Sequence, residues 1–82
     1  DLNPGAPIHV LVIPKEHTQN ILTASDDIIV YVKRKIPEIV KQLGIAEKGF
    51  RVVVNTGEDG GQSVPHLHFH ILGGKALGWP PC

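Results

Sequence analysis

The chain is almost without sulfur: it has no methionine, and its single cysteine, Cys82, is the last of 82 residues. No internal disulfide can form and nothing points to an oxidising compartment, so a cytoplasmic address is expected, the nucleus being open as well. An excess of charge of either sign is also missing, because eight Lys and Arg residues balance eight Asp and Glu. There is therefore no electrostatic case for a nucleic-acid or membrane partner, and any anion must be caught by local groups. No apolar run approaches membrane-spanning length, and the start does not read as a secretory leader. Eighty-two residues make one domain at most, spanning 1–82. A domain that small buries a modest fraction of its surface, which makes a partner subunit a reasonable expectation.

Histidine is what the chain has in plenty. Three of its five histidines fall in Pro65-His66-Leu67-His68-Phe69-His70-Ile71-Leu72, alternating with apolar residues. A β-strand sends successive side chains to opposite faces. His66, His68 and His70 would line one face, with neighbouring rings about 7 Å apart by strand rise, while Leu67, Phe69 and Ile71 enter a core. A merely solvated sheet face would sooner carry Thr, Lys or Glu.

Earlier in the chain, residues 1–7 hold two prolines and a glycine and read as an irregular leading segment. Ile8-His9-Val10-Leu11-Val12-Ile13-Pro14 follows, an almost continuous apolar run that predicts a strand buried on both faces. His9 shares a face with Leu11 and Ile13, as a satisfied core histidine or as one that meets the histidine strand. Residues 15–20 form a polar connection in which His17 is expected to be exposed.

Ser25, Asp26 and Asp27 supply N-cap candidates for a helix carried by Ile28, Ile29, Val32, Ile36, Ile39, Val40 and Leu43 and ended by Gly44. Pro37 lies inside it and predicts a kink or a break near residues 33–36. The Lys33-Arg34-Lys35 run reads as a solvated helix face. Phe50-Arg51-Val52-Val53-Val54-Asn55 is the next strand, expected to pair antiparallel with the histidine strand across a ten-residue loop, 56–65. That loop holds Gly57, Gly60 and Gly61, whose N–H groups could turn toward an anion, and Ser63, whose hydroxyl stands just before the histidines. Trp79 on the proline-stiffened tail should dock on its own domain or another subunit. The result is an α+β domain, an antiparallel sheet with one main helix on the Leu67/Phe69/Ile71 face.

Three chemistries suit histidines at this spacing. Imidazoles two apart on a strand can chelate zinc, although a chain with one terminal cysteine and a Gly- and Ser-rich loop offers little else to a metal. A binding module could use the rings as hydrogen-bond donors alone. Alternatively, one neutral imidazole attacks phosphorus while its neighbours donate to the phosphate oxygens, a chemistry that asks mainly for positioning and charge stabilisation.

His66-Leu67-His68-Phe69-His70-Ile71-Leu72 resembles the signature of the histidine triad (HIT) superfamily, in which three histidines alternate with apolar residues. Residues 55–64, Gly73-Gly74, Trp79-Pro80-Pro81 and residues 9–15 are similar to its Hint branch of nucleotide-binding proteins. The resemblance implies a HIT-like fold whose sheet extends across a homodimer, with the family's N-terminal helix and first hairpin preceding the point where this chain starts. It implies hydrolysis of the P–N bond of purine nucleoside phosphoramidates on an AMP-like ligand, without metal or cofactor. His68 would attack the α-phosphorus and carry the nucleotide, His70 would contact the phosphate oxygens, and His66 would support the site with His9. Ser63 would help protonate the leaving amine, Asn55 and Gly61 would bind phosphate or ribose, and Asp1 and Leu2 would contact ribose and base. Histidine at position 70, where the superfamily's nucleotidyl transferases have glutamine, favours hydrolysis over transfer. The resemblance leaves nucleotide-binding regulation with little turnover as the alternative. Pro65 and Gly78 depart from common family residues and bear on leaving-group preference.

Overall fold

The computed structural model describes residues 7–78, so Asp1, Leu2 and the Trp79 tail lie outside the described residues. Its elements follow in the order β1 (Ile8–Val12), α1 (Asp26–Leu43), β2 (Phe50–Val53) and β3 (Phe69–Gly73). The sheet order is β1-β3-β2, both pairings antiparallel, which puts the histidine strand in the centre. The α+β fold expected from the alternating patterns is the one found.

Register decides which residues share a face. Val10 and Val52 both stand opposite Ile71, and Val12 stands opposite Phe69, so these residues share the face on which the helix packs, Val52 at its exposed margin. On the other face His70 lies opposite Leu11 and Val53, and His9 and Arg51 lie opposite Leu72. The covered face is filled by two neighbouring groups. Val32, Leu67 and Phe69 pack with Ile28, Ile29 and Val54, and Val40, Ile45 and Ile71 pack with Ile8, Ile39 and Leu43. Val12 and Ile36 touch both groups. Every apolar position of the helical pattern is thus in the core, and full burial of an aliphatic side chain contributes about 1.5–3 kcal/mol.

The helix begins where Ser25 Oγ accepts from the N–H of Ile28 at 3.3 Å, with Asp26 and Asp27 set against the positive end of its dipole. It ends at Gly44, whose φ of 75° lets its N–H turn back to the last carbonyls. Between these caps it is a single α-helix of 18 residues, so of the kink or break expected near residues 33–36 the break does not occur. Pro37 is exposed, which leaves the carbonyl it cannot bond open to water, while Ile36 and Val40 beside it are held by the core.

The expectation that β1 is buried on both faces is corrected. Leu11 is 50% exposed and Ile13 53%, because the helix covers only the face opposite to theirs. The histidine strand is also shorter than its alternation implied, starting at Phe69 and not at Pro65. Residues 66 and 67 bond elsewhere: His66 N–H donates to Val64 O at 2.8 Å and Leu67 N–H to Thr18 O at 2.7 Å. The inside-outside alternation nevertheless continues through Leu67, which is 1% exposed. No helix among the described residues is long and apolar enough to cross a membrane.

Two substitutions test this packing. Ile71→Ala should cost about 2–5 kcal/mol in urea unfolding, because Ile71 is wholly buried between helix and sheet. Pro37→Ala should raise stability by up to about 3 kcal/mol, and no gain would mean that the helix is not continuous through that position.

Candidate active site

The site forms where the ladder runs out. β1 pairs as far as Val12, and Pro14, two residues on, has no N–H to extend the pairing. Its carbonyl oxygen is instead taken by the ring of His66, Nε2 donating at 3.2 Å. A carbonyl can only accept, so this nitrogen carries the proton. The same logic applies to His68, whose Nδ1 lies 2.7 Å from the backbone oxygen of His66. That nitrogen must donate, and in the neutral ring Nε2 is left with its lone pair. The orientation of this ring is therefore fixed by the backbone carbonyl of its neighbour.

His70 stands next in the row, its ring centroid 5.1 Å from that of His68 with the planes at 64°. This is closer than strand rise alone implies, because the rings lean together. On its other side His70 Nδ1 lies 2.8 Å from His9 Nε2, with the rings 5.0 Å apart. The two meet as diagonal neighbours, Leu11 being directly opposite His70 in the register. His9 thus joins the histidine row at His70, whereas the resemblance grouped it with His66. The neighbour of His66 is His17, edge-on at 4.9 Å and 79°. His17 is exposed, as expected, yet it completes a chain of contacts through all five histidines.

Burial is the main reason that His70 resists protonation, and the charges that His68 and His9 would carry push in the same direction. Its pKa lies below the ordinary imidazole value of 6.5. Near neutrality the ring is therefore uncharged and offers one N–H and one lone pair.

The 56–65 loop is more ordered than its composition implied. Gln62 N–H donates to Gly57 O, Gly61 N–H to Glu58 O and Gly57 N–H to Gln62 Oε1, each at 3.0 Å. The N–H groups of Gly57 and Gly61 are bonded inside the loop in this structure. Gly60 is required for close approach, since a Cβ there would collide with the carbonyl oxygen of Thr56. Asn55 turns its amide inward, Nδ2 donating to Gly60 O at 2.7 Å. Ser63 is exposed on the rim of an open depression of about 490 Å³ that it shares with Gln19, Glu58, Gly61, Gln62 and Pro65.

Sequence reasoning passed over the connection after β1, which proves to be the rear wall of the site. It supplies the Pro14 carbonyl to His66, the Thr18 carbonyl to Leu67, the Gln19 carbonyl to Gln62 at 2.7 Å, and the His17 ring. Thr18, bonded through Oγ1 to Thr23 Oγ1 at 2.8 Å, is the one polar residue buried among those described. Among the described residues no group of three or more His, Cys, Asp or Glu is placed to hold a metal ion.

Comparison with known proteins points the same way. The HIT domain family matches residues 1–77. A HIT-like protein of Synechococcus elongatus is 45% identical over 84 aligned positions, which cover 99% of this chain and 73% of that protein. The crystal structure of a HIT family hydrolase from Legionella pneumophila superposes with a TM-score of 0.90 at 38% identity, covering 100% of this chain and 76% of its own. A histidine triad nucleotide-binding protein from Candida albicans superposes at 0.64 with 32% identity, covering 98% of this chain and 64% of its own.

The lowered pKa of His70 has a signed consequence. A histidine whose folded-state pKa is depressed adds stability above the unfolded-state value, and that stability is lost as pH falls from the unfolded to the folded value. Urea unfolding from about pH 7.5 to about pH 5.5 should show stability falling with acidification, and falling less in His70→Asn. Equal slopes in the two proteins would contradict the burial of that ring.

Proposed function

The chain belongs to the HIT family, and from that membership and the fixed tautomer of His68 we propose that it hydrolyses the P–N bond of purine nucleoside 5′-phosphoramidates. The observation that carries this reading is the hydrogen bond from His68 Nδ1–H to the His66 carbonyl, which keeps a lone pair on Nε2. That nitrogen attacks the α-phosphorus; the new bond to imidazole forms as the bond to the amine breaks. The positive charge that the ring gains is met by the same carbonyl oxygen, without rearrangement of the site.

The remaining residues take the roles that the family resemblance implies. His9 Nε2 and His70 Nδ1 share one hydrogen bond, and with His9 as its donor His70 presents Nε2–H to a phosphate oxygen. His66 holds the backbone that orients His68. The Ser63 hydroxyl passes a proton from solvent to the departing amine. Asn55 and Gly61 line the phosphate and ribose side, and Asp1 and Leu2 contact ribose and base. Water then attacks the nucleotidyl-histidine, its oxygen bonds to phosphorus and its proton passes to solvent, releasing AMP and restoring His68. No step in this sequence uses a metal ion or cofactor.

The active unit in this proposal is a homodimer. Val30 and Tyr31 on the outer helix face are 46% and 62% exposed, and Phe50 and Val52 of the edge strand β2 are 38% and 39% exposed. Apolar side chains on a helix face and an unpaired strand edge favour covering by a second copy.

Incubation with adenosine 5′-phosphoramidate in the presence of EDTA tests the reading. AMP release and a transient AMP adduct in the intact mass are expected, with turnover lost by about 10⁴-fold or more in His68→Ala. His70→Ala, lacking a donor to the phosphate, should lose about 10²–10³-fold. Tight AMP binding with neither turnover nor adduct would move the assignment to a nucleotide-binding regulatory protein.

A further inference from the structure

Gln62 lies just before Ser63, and its side chain ties together three parts of the site. Nε2 donates to Gln19 O at 2.7 Å and to Val64 O at 3.1 Å, while Oε1 accepts from Gly57 N–H at 3.0 Å. Both amide protons and the amide oxygen are engaged, so the group has one orientation: nitrogen toward two carbonyls, oxygen toward an N–H. Its own backbone N–H returns to Gly57 O. The glycine turn, the connection after β1 and the Val64 carbonyl meet at this one side chain. That last carbonyl also accepts from the His66 N–H, which leads directly into the histidine row.

We propose that Gln62 is a positioning residue for leaving-group departure: it fixes the Ser63 hydroxyl relative to His68 by bracing the loop from both sides. This rests on the phosphoramidate reading above. Gln62 itself touches no reacting atom. Its amide is inside the loop and acts through Ser63, one residue on, and through the turn from Val64 to His66. Near-isosteric replacement by glutamate puts a carboxylate oxygen where a nitrogen now faces two carbonyl oxygens, which turns two attractions into two repulsions. A protonated glutamic acid can restore one donor, so the defect is repairable by acid.

The test compares wild type, Ser63→Ala and Gln62→Glu on adenosine 5′-phosphoramidates of two amines, propylamine, which needs a proton to leave, and 4-nitroaniline, which needs one far less. Gln62→Glu is expected to lower kcat on the propylamine compound by about tenfold to a hundredfold, with little change in KM, and by much less on the nitroaniline compound. Ser63→Ala should show the same selectivity. The Gln62→Glu to wild-type ratio should rise as pH falls. Titratable groups of the turn that Gln62 closes are Glu58 and Asp59, and His66, with His17 against its ring, follows the Val64 carbonyl that Gln62 holds. All are common to both proteins, so the ratio removes their own titration.

Equal losses on the two compounds, a ratio unchanged by pH, or no loss at all would overturn the proposal. Amide exchange supplies a readout that does not need turnover: Gly57 and Leu67 should exchange faster in Gln62→Glu while Ile71 stays protected, and unchanged exchange would overturn the brace. Absence of wild-type turnover on both compounds would remove the functional reading, and the exchange result would still decide the role of Gln62 in the loop.

Discussion

The central position of β3 is the constraint on which the site depends. With β1 bonded on one side and β2 on the other, and with Phe69 and Ile71 pinned under the helix, the strand has one face left to offer. A period of two then forces the intervening residues onto that face. A slip of one residue would exchange histidines for core side chains, so the packing that stabilises the fold is also what orders the rings. Chemistry and stability are read from alternate positions of the same short stretch.

Backbone carbonyls do the work that carboxylates do in many histidine-based sites. His66 is held by the Pro14 carbonyl and His68 by the carbonyl of His66, and both contacts exist because regular pairing has stopped and left those oxygens available. A carbonyl fixes the tautomer without adding a formal charge to the site. The uncharged state of His70 suits the same arrangement: a neutral ring can donate one hydrogen bond and accept another, and so link His9 to a ligand oxygen.

The features legible in the sequence were those with a local period. Helix limits followed from Ser25 and Gly44, the core from the three- and four-residue spacing between Ile28 and Leu43, and the antiparallel partner of the histidine strand from the loop that joins them. Less legible was anything that depended on coverage. An unbroken apolar run cannot say whether its second face has a partner, which is why Leu11 and Ile13 proved exposed. The contacts that brace the site were invisible for another reason: Gln62 meets Gln19 and His66 meets Pro14 across tens of residues, and no spacing rule in the chain encodes those meetings. His17 looked like one more polar residue of a connection until the fold set it against His66.

The claim from which the chemistry follows is that the neutral form of His68 carries its proton on Nδ1 and leaves Nε2 bare. Long-range proton–nitrogen correlation spectra of the uniformly ¹⁵N-labelled protein at neutral pH measure this directly. The account predicts a protonated, pyrrole-type Nδ1 and an unprotonated, pyridine-type Nε2 for His68. The opposite tautomer, or a ring exchanging freely between the two, would contradict it.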